Sequence, residues 1–154
     1  MNVQEYLRDH HVAHQVIDHP EAYSAQRMAE IVHVTGHKVA KTVLLRDGSG
    51  FCYYLAIVPA SARVDIDKVR ATMGAPDVDL ATEGEVAARC RDCEVGAMPP
   101  FGNLYGMDVY ASKLLEADAE IAFNAGSHTE LIRLAYNDFV RLVNPKVARL
   151  AFGE

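Results

Sequence analysis

Apolar and polar positions along this chain follow two periods, and the switches between them mark its elements. Val3, Tyr6 and Leu7 recur at helical spacing, which predicts a short amphipathic helix over Val3 to His11. His14 to Asp18 alternates around Val16 and Ile17 as a short strand that ends at Pro20. Ser24 is the N-cap of a predicted helix running to Val32, with Met28, Ile31 and Val32 as its apolar stripe and Gly36 as its stop. Two β-rich runs follow, Val39 to Leu45 and Phe51 to Val58, separated by the hairpin signal Asp47-Gly48-Ser49-Gly50. Val64 to Met73 reads as a helix with Val64, Ile66, Val69 and Met73 inside and Gly74 at its C-terminal end.

The second half is patterned in shorter pieces. Val78 to Leu80 predicts a strand and Glu83 to Cys90 a short helix. Met107 to Tyr110 and Glu120 to Phe123 predict strands on either side of a turn of helix around Leu114. Leu131, Ile132 and Leu134 fit a strand or a helix; Asn137 or Asp138 then caps a helix through Val143, stopped by Pro145. Strands and helices mix without strict βαβ alternation, so the expected fold is a single α+β domain over residues 1–154 with a mixed sheet.

Composition narrows the function classes. Half of the 154 residues are hydrophobic, enough for one real core, and no apolar run approaches the roughly 18 residues of a membrane span. The polar start Met1-Asn2-Val3-Gln4-Glu5 lacks the pattern of a signal peptide, so the expected location is the cytoplasm. Three cysteines do not suggest a disulfide framework. The net charge of −6 argues against generic coating of nucleic acid. Its distribution is uneven: residues 71–130 carry a net −8, whereas residues 33–70 carry +3 and 131–154 carry +2. Any polyanion contact is then expected to be limited and salt-sensitive.

Two loops are more specified than a connection requires. Gly96-Ala97-Met98-Pro99-Pro100-Phe101-Gly102 sets two fixed-φ prolines between glycines, and Asn124-Ala125-Gly126-Ser127-His128 follows the apolar run Ile121-Ala122-Phe123. Such loops usually line a site. Lys41 is the third candidate. Alternation within Val39-Ala40-Lys41-Thr42-Val43-Leu44-Leu45 puts it on the face of Val39, Val43 and Leu45. A buried, unpaired ammonium is costly, so Lys41 either meets an anion in a polar cleft or guards a strand edge against aggregation.

Other constellations read as packing or turns before chemistry. Cys90-Arg91-Asp92-Cys93 has the CxxC spacing, yet it closes a helix and has only Cys52 left to complete a zinc set. Metal or redox use stays open beside incidental packing. His33 and His37 are separated by Gly36, and none of the seven histidines belongs to an HExxH pattern. Ser127 and His128 are adjacent without a GxSxG elbow, which disfavours a Ser-His-Asp hydrolase. No P-loop or GxGxxG supports nucleotide-fuelled chemistry.

Three elements together resemble the YbaK/ProX family of aminoacyl-tRNA editing domains, which also occur as the insertion domain of bacterial prolyl-tRNA synthetases. They are Lys41 in Ala40-Lys41-Thr42-Val43, the Gly96-x-x-x-Pro100 loop continuing to Phe101-Gly102, and Gly126-Ser127-His128 after a strand. The similarity runs in order from about His19 to Val147. It implies a twisted, partly barrel-like mixed sheet flanked by helices, and hydrolysis of the ester in a mischarged aminoacyl-tRNA. It also implies a catalytic Lys41 and a substrate pocket from Thr42, Gly96, Met98, Pro100, Phe101, Gly102, Gly126, Ser127 and His128, with no metal or cofactor. The partner implied is the 3′ CCA end of tRNA, with a synthetase or elongation factor offsetting the acidic charge. Some family members carry Asn where this chain has Thr42, and cysteine-type editors tend to lack the histidine matching His128. The resemblance therefore favours alanine, serine or threonine over cysteine as the amino acid removed. The alternative is a non-catalytic module that binds the aminoacylated CCA end.

Overall fold

The structure, a computed structural model, describes residues 2–18, 39–94 and 96–154. The predicted helix from Ser24 to Val32, with Gly36, lies outside them. The described helices are α1 (Val3–Asp9), α2 (Ile66–Met73), α3 (Glu83–Arg89) and α4 (Tyr136–Val143). The strands are β1 (His14–Asp18), β2 (Ala40–Arg46), β3 (Tyr53–Pro59), β4 (Asp79–Leu80), β5 (Asp108–Ser112), β6 (Glu120–Asn124), β7 (Glu130–Ala135) and β8 (Lys146–Ala148).

Local chemistry explains most boundaries. The Asn2 side chain accepts the Glu5 N–H and starts α1, and the Asp65 side chain does the same for Asp67 at α2. Thr82 and Glu85 form a reciprocal capping box at α3. Gly74, at φ +62°, ends α2 in the left-handed region. In the β2–β3 hairpin, Asp47 Oδ1 accepts from Ser49 Oγ and from the Gly50 and Cys52 amides, which fixes the turn. α4 departs from expectation. It begins at Tyr136, with Ala135 at the cap and no side-chain cap, so neither Asn137 nor Asp138 plays that part. β7 settles the ambiguous 131–134 stretch as strand, because Ile132 and Leu134 face the core opposite Phe123 and Ile121 of β6.

The α+β fold holds two sheets. β1-β7-β6 is antiparallel, and β4-β2-β3-β5-β8 is mixed, with the β3/β5 and β5/β8 pairs parallel. Among the described residues, one parallel bridge, Val39 to Ala122, joins them. The sheet is thus open, and the partly barrel-like form amounts to two sheets meeting at one bridge. β3 is buried on both faces, as its continuous apolar run requires. Leu55 and Ile57 join a large cluster with Phe101, Phe123 and Phe139, whereas Ala56 and Val58 join a second cluster with Val69 of α2.

Candidate functional site

The site begins as a gap in strand pairing. β2 pairs along its whole length with β3, but its other edge is covered only near its ends. Val39 bridges Ala122, and Leu45 and Arg46 pair with Leu80 and Asp79 of β4. Among the described residues, Lys41, Thr42 and Val43 have no strand neighbour on that edge. The Val39 carbonyl accepts from the Ala60 amide on the β3 side, and the Leu44 carbonyl accepts from the Ala81 amide on the outer side. Alternation therefore turns the N–H and C=O of Thr42 outward, into the gap. A pocket of about 270 Å³ opens there, lined by Thr42, Leu44, Leu80, Val86, Gly96 and Met98 among others.

Gly96 and Met98 of the first glycine loop line this pocket, and backbone bonds join that loop to the second. The Gly126 N–H donates to the Ala97 carbonyl at 3.0 Å, and the Glu94 N–H donates to the Gly126 carbonyl at 2.7 Å. Glu94 also accepts the His128 N–H at 3.1 Å through Oε2, which lies 3.9 Å from His128 Nε2. Gly96 and Gly126 hold φ of +85° and +97°, a conformation that costs any residue with a Cβ. The amides of Ala97, Ala125, Gly126, His128 and Thr129 are all spent on acceptors within this assembly. Those of Gly96, Met98 and Ser127 have no acceptor among the described residues. The Gly126 amide, by contrast, is already bonded to the Ala97 carbonyl.

Lys41 leaves β2 on the face opposite Thr42, opposite Val58 of β3 in register. It is half-buried, and no carboxylate pairs with it among the described residues. Burial lowers its pKa below the ordinary 10.5, and the Arg63 guanidinium lowers it further. The loop carrying Arg63 follows β3 and is tied to the start of β2 by the Ala60–Val39 bond, which explains how the second cation comes near.

The remaining sequence candidates divide by burial. Met98 lines the pocket. Pro100 is buried, and Phe101 packs its ring against Tyr6, Phe123 and Phe139 in the main core. A Cβ on Gly102 would stand 2.5 Å from the Met107 carbonyl oxygen, so close packing fixes that glycine. The Ser127 hydroxyl lies 3.1 Å from that of Thr129 in a local turn, and His128 is 3% exposed. Sequence reasoning did not single out Asn124. It is 5% exposed, and its Oδ1 is buried without a partner among the described residues. It stands two residues past the Val39–Ala122 bridge on β6, as Lys41 does on β2. An amide at the end of an apolar strand was the available signal. A larger groove of about 490 Å³ around Phe51, Tyr53, Arg89 and Tyr105 contains none of the candidates.

Cys90 and Cys93 are joined in a disulfide across the CxxC turn, a local bond and not a framework, and Cys52 is free and exposed.

Residues 19–142 match the family described as the aminoacyl-tRNA editing domain. The chain is similar to the multifunctional Ser/Thr-tRNA deacylase ProXp-y of Escherichia coli K12, with 29% identity over 135 residues, 86% of this chain and 80% of that protein. Two solved structures share the fold. The hypothetical protein APE2540 is 19% identical with a TM-score of 0.87, over 97% of this chain and 98% of that one. A candidate trans-editing enzyme for prolyl tRNA synthetase is 24% identical with a TM-score of 0.84, over 98% of this chain and 95% of that one.

Proposed function

The chain belongs to the aminoacyl-tRNA editing domain family, and on that premise we propose that it is a trans-editing hydrolase acting in the cytoplasm. It removes a small amino acid from mischarged tRNA, with serine, threonine and alanine ahead of cysteine. The observation that carries this reading is the joining of the two glycine loops beside the open edge of β2. Beside the outward-turned backbone of Thr42 lie Gly96 and Met98, whose amides, like that of Ser127 in the joined loop, have no acceptor among the described residues. The Ser/Thr-tRNA deacylase among the relatives supports the choice of amino acid.

An aminoacyl ester is already activated, so its hydrolysis needs no protein nucleophile. Water adds to the ester carbonyl carbon, aided by the vicinal ribose hydroxyl of the substrate. The charge that develops on the carbonyl oxygen falls to the free loop amides, an arrangement in which one donor is typically worth about 10²–10³ in rate. The ribose oxygen then departs with a proton, freeing amino acid and tRNA. The Thr42 carbonyl accepts from the α-ammonium. Lys41, a cation with Arg63 nearby and no acidic partner among the described residues, holds the phosphate of the terminal adenosine. Asn124 Oδ1 is the buried acceptor available to a substrate hydroxyl. Because the chain is acidic overall, a synthetase or an elongation factor supplies part of the tRNA affinity.

Deacylation of a panel of seryl-, threonyl-, alanyl- and cysteinyl-tRNAs tests this directly. The first three are expected to be hydrolysed faster than the fourth, with overlap among them because a methylene is worth only about 1–3 kcal/mol in such a pocket. Binding of a non-hydrolysable aminoacyl-adenosine analogue with no turnover of any tRNA would instead make the chain a binding module.

A further inference from the structure

The CxxC turn lies outside the proposed chemistry, yet it supports the loop that the chemistry needs. α3 ends at Cys90, and the Cys93 N–H donates back to the Cys90 carbonyl at 3.2 Å. The Cα atoms of the bonded pair are 5.4 Å apart, within the range a disulfide allows. The next residue is Glu94, whose N–H and carboxylate hold Gly126 and His128. The fit is close from the other side as well, since a Cβ on Gly126 would lie 3.7 Å from the Asp92 carbonyl oxygen. Cys90, Cys93 and Ala125 share the main apolar cluster. From this continuity we propose that Cys90 and Cys93 form a reversible thiol–disulfide site, exchanging with small thiols and disulfides, whose oxidised state clamps the Gly126–His128 loop.

The surroundings suit exchange. Cys90 is buried while Cys93 is half-buried, so an incoming thiolate reaches Cys93 Sγ first. It bonds to that sulfur, the Cys90–Cys93 bond breaks, and Cys90 takes the electron pair and a proton. A second small thiolate attacks its partner sulfur in the mixed disulfide, which releases Cys93 as a thiol and a small disulfide. Oxidation is the reverse, with the small disulfide as oxidant. Asp92 Oδ1 lies 3.7 Å from Cys90 Sγ and 4.0 Å from Cys93 Sγ, an acceptor for both thiols once reduced. Tyr105 Oη is 3.5 Å from Cys93 Sγ. Burial and Asp92 hold its pKa up to about 12, so it stays a neutral hydroxyl there. In a reducing compartment, a disulfide of this kind is usually redox-sensing.

The effect on turnover rests on the deacylase reading; the site itself does not. The test equilibrates the full chain in glutathione buffers of graded ratio, counts thiols by alkylation and mass, and follows deuterium uptake of residues 124–130. The expected result is interconversion of the pair across the series and several-fold faster uptake in the reduced form. Deacylation kcat/KM should fall several-fold on reduction and recover on reoxidation, and Cys93→Ser should hold the reduced value without response. A pair that does not exchange, uptake that is equal in both states, or stoichiometric zinc on the reduced pair would overturn the proposal. Uptake that responds while no aminoacyl-tRNA is hydrolysed in either state would uphold the switch and refute the deacylase.

Discussion

Two pressures act on the Lys41 ammonium, burial and the field of Arg63, and both lower its pKa. Binding of a phosphate-bearing aminoacyl-adenosine analogue should weaken at a pH below the ordinary lysine value of 10.5. Arg63→Gln relieves the repulsion, so the alkaline limb of binding should move upward. An unmoved limb would mean that Arg63 does not act on Lys41. The same shift has a stability sign. Between the lowered pKa and 10.5, the unfolded chain binds the Lys41 proton and the native chain does not, so this residue's contribution to stability improves as pH rises across that window. Asn124 yields a second prediction. Asn124→Leu removes the buried acceptor, and it should slow hydrolysis of seryl- and threonyl-tRNA about tenfold or more relative to alanyl-tRNA in the same assay. Lys41 was legible because a lone cation interrupts an apolar strand. Asn124 was not, because an amide at a strand end reads as the start of a turn until its burial is known.

At the scale of elements, the rigid support of the site comes from residues that sequence reasoning assigned to the pocket itself. Phe101 and Gly102 belong to the core beneath the loop, where Gly102 lets the backbone of Met107 approach. Gly102→Ala should cost about 1–3 kcal/mol in denaturant unfolding, because a backbone carbonyl stands where the new methyl goes. Wild-type stability in that variant would show that the loop yields. The Gly-Pro-Pro-Gly pattern announced a stiff loop without revealing which side meets the ligand and which meets the core. The start at Glu83 and the stop at Gly74 were readable, whereas α2 begins at Ile66 after its Asp65 cap and not at Val64. At α4 a cap was expected at Asn137 or Asp138, but the helix enters directly from β7 at Ala135.

Across the whole molecule, the site depends on long-range pairing that no local pattern encodes. The gap beside Thr42 exists because β6 reaches only Val39 and β4 reaches only Leu45 and Arg46. β8, three residues long after Pro145, was invisible as a strand until its parallel pairing with β5. Charge also acts at this scale. With a net −6 and two cations offered to phosphate, the logarithm of tRNA affinity should fall against the logarithm of salt with a slope of about −1 to −2. A slope steeper than about −5 would require a basic surface that this reading does not contain. We propose that Lys41, on the opposite face of β2 from the Thr42 pocket, acts together with the joined glycine loops in ester hydrolysis. Single-turnover deacylation of seryl- and threonyl-tRNA by Lys41→Ala tests it most directly. The rate should fall by about 10² or more while the unfolding midpoint stays at or above that of the wild type, because partial burial of the ammonium is a cost to folding. Deacylation at the wild-type rate by a folded Lys41→Ala protein would contradict it.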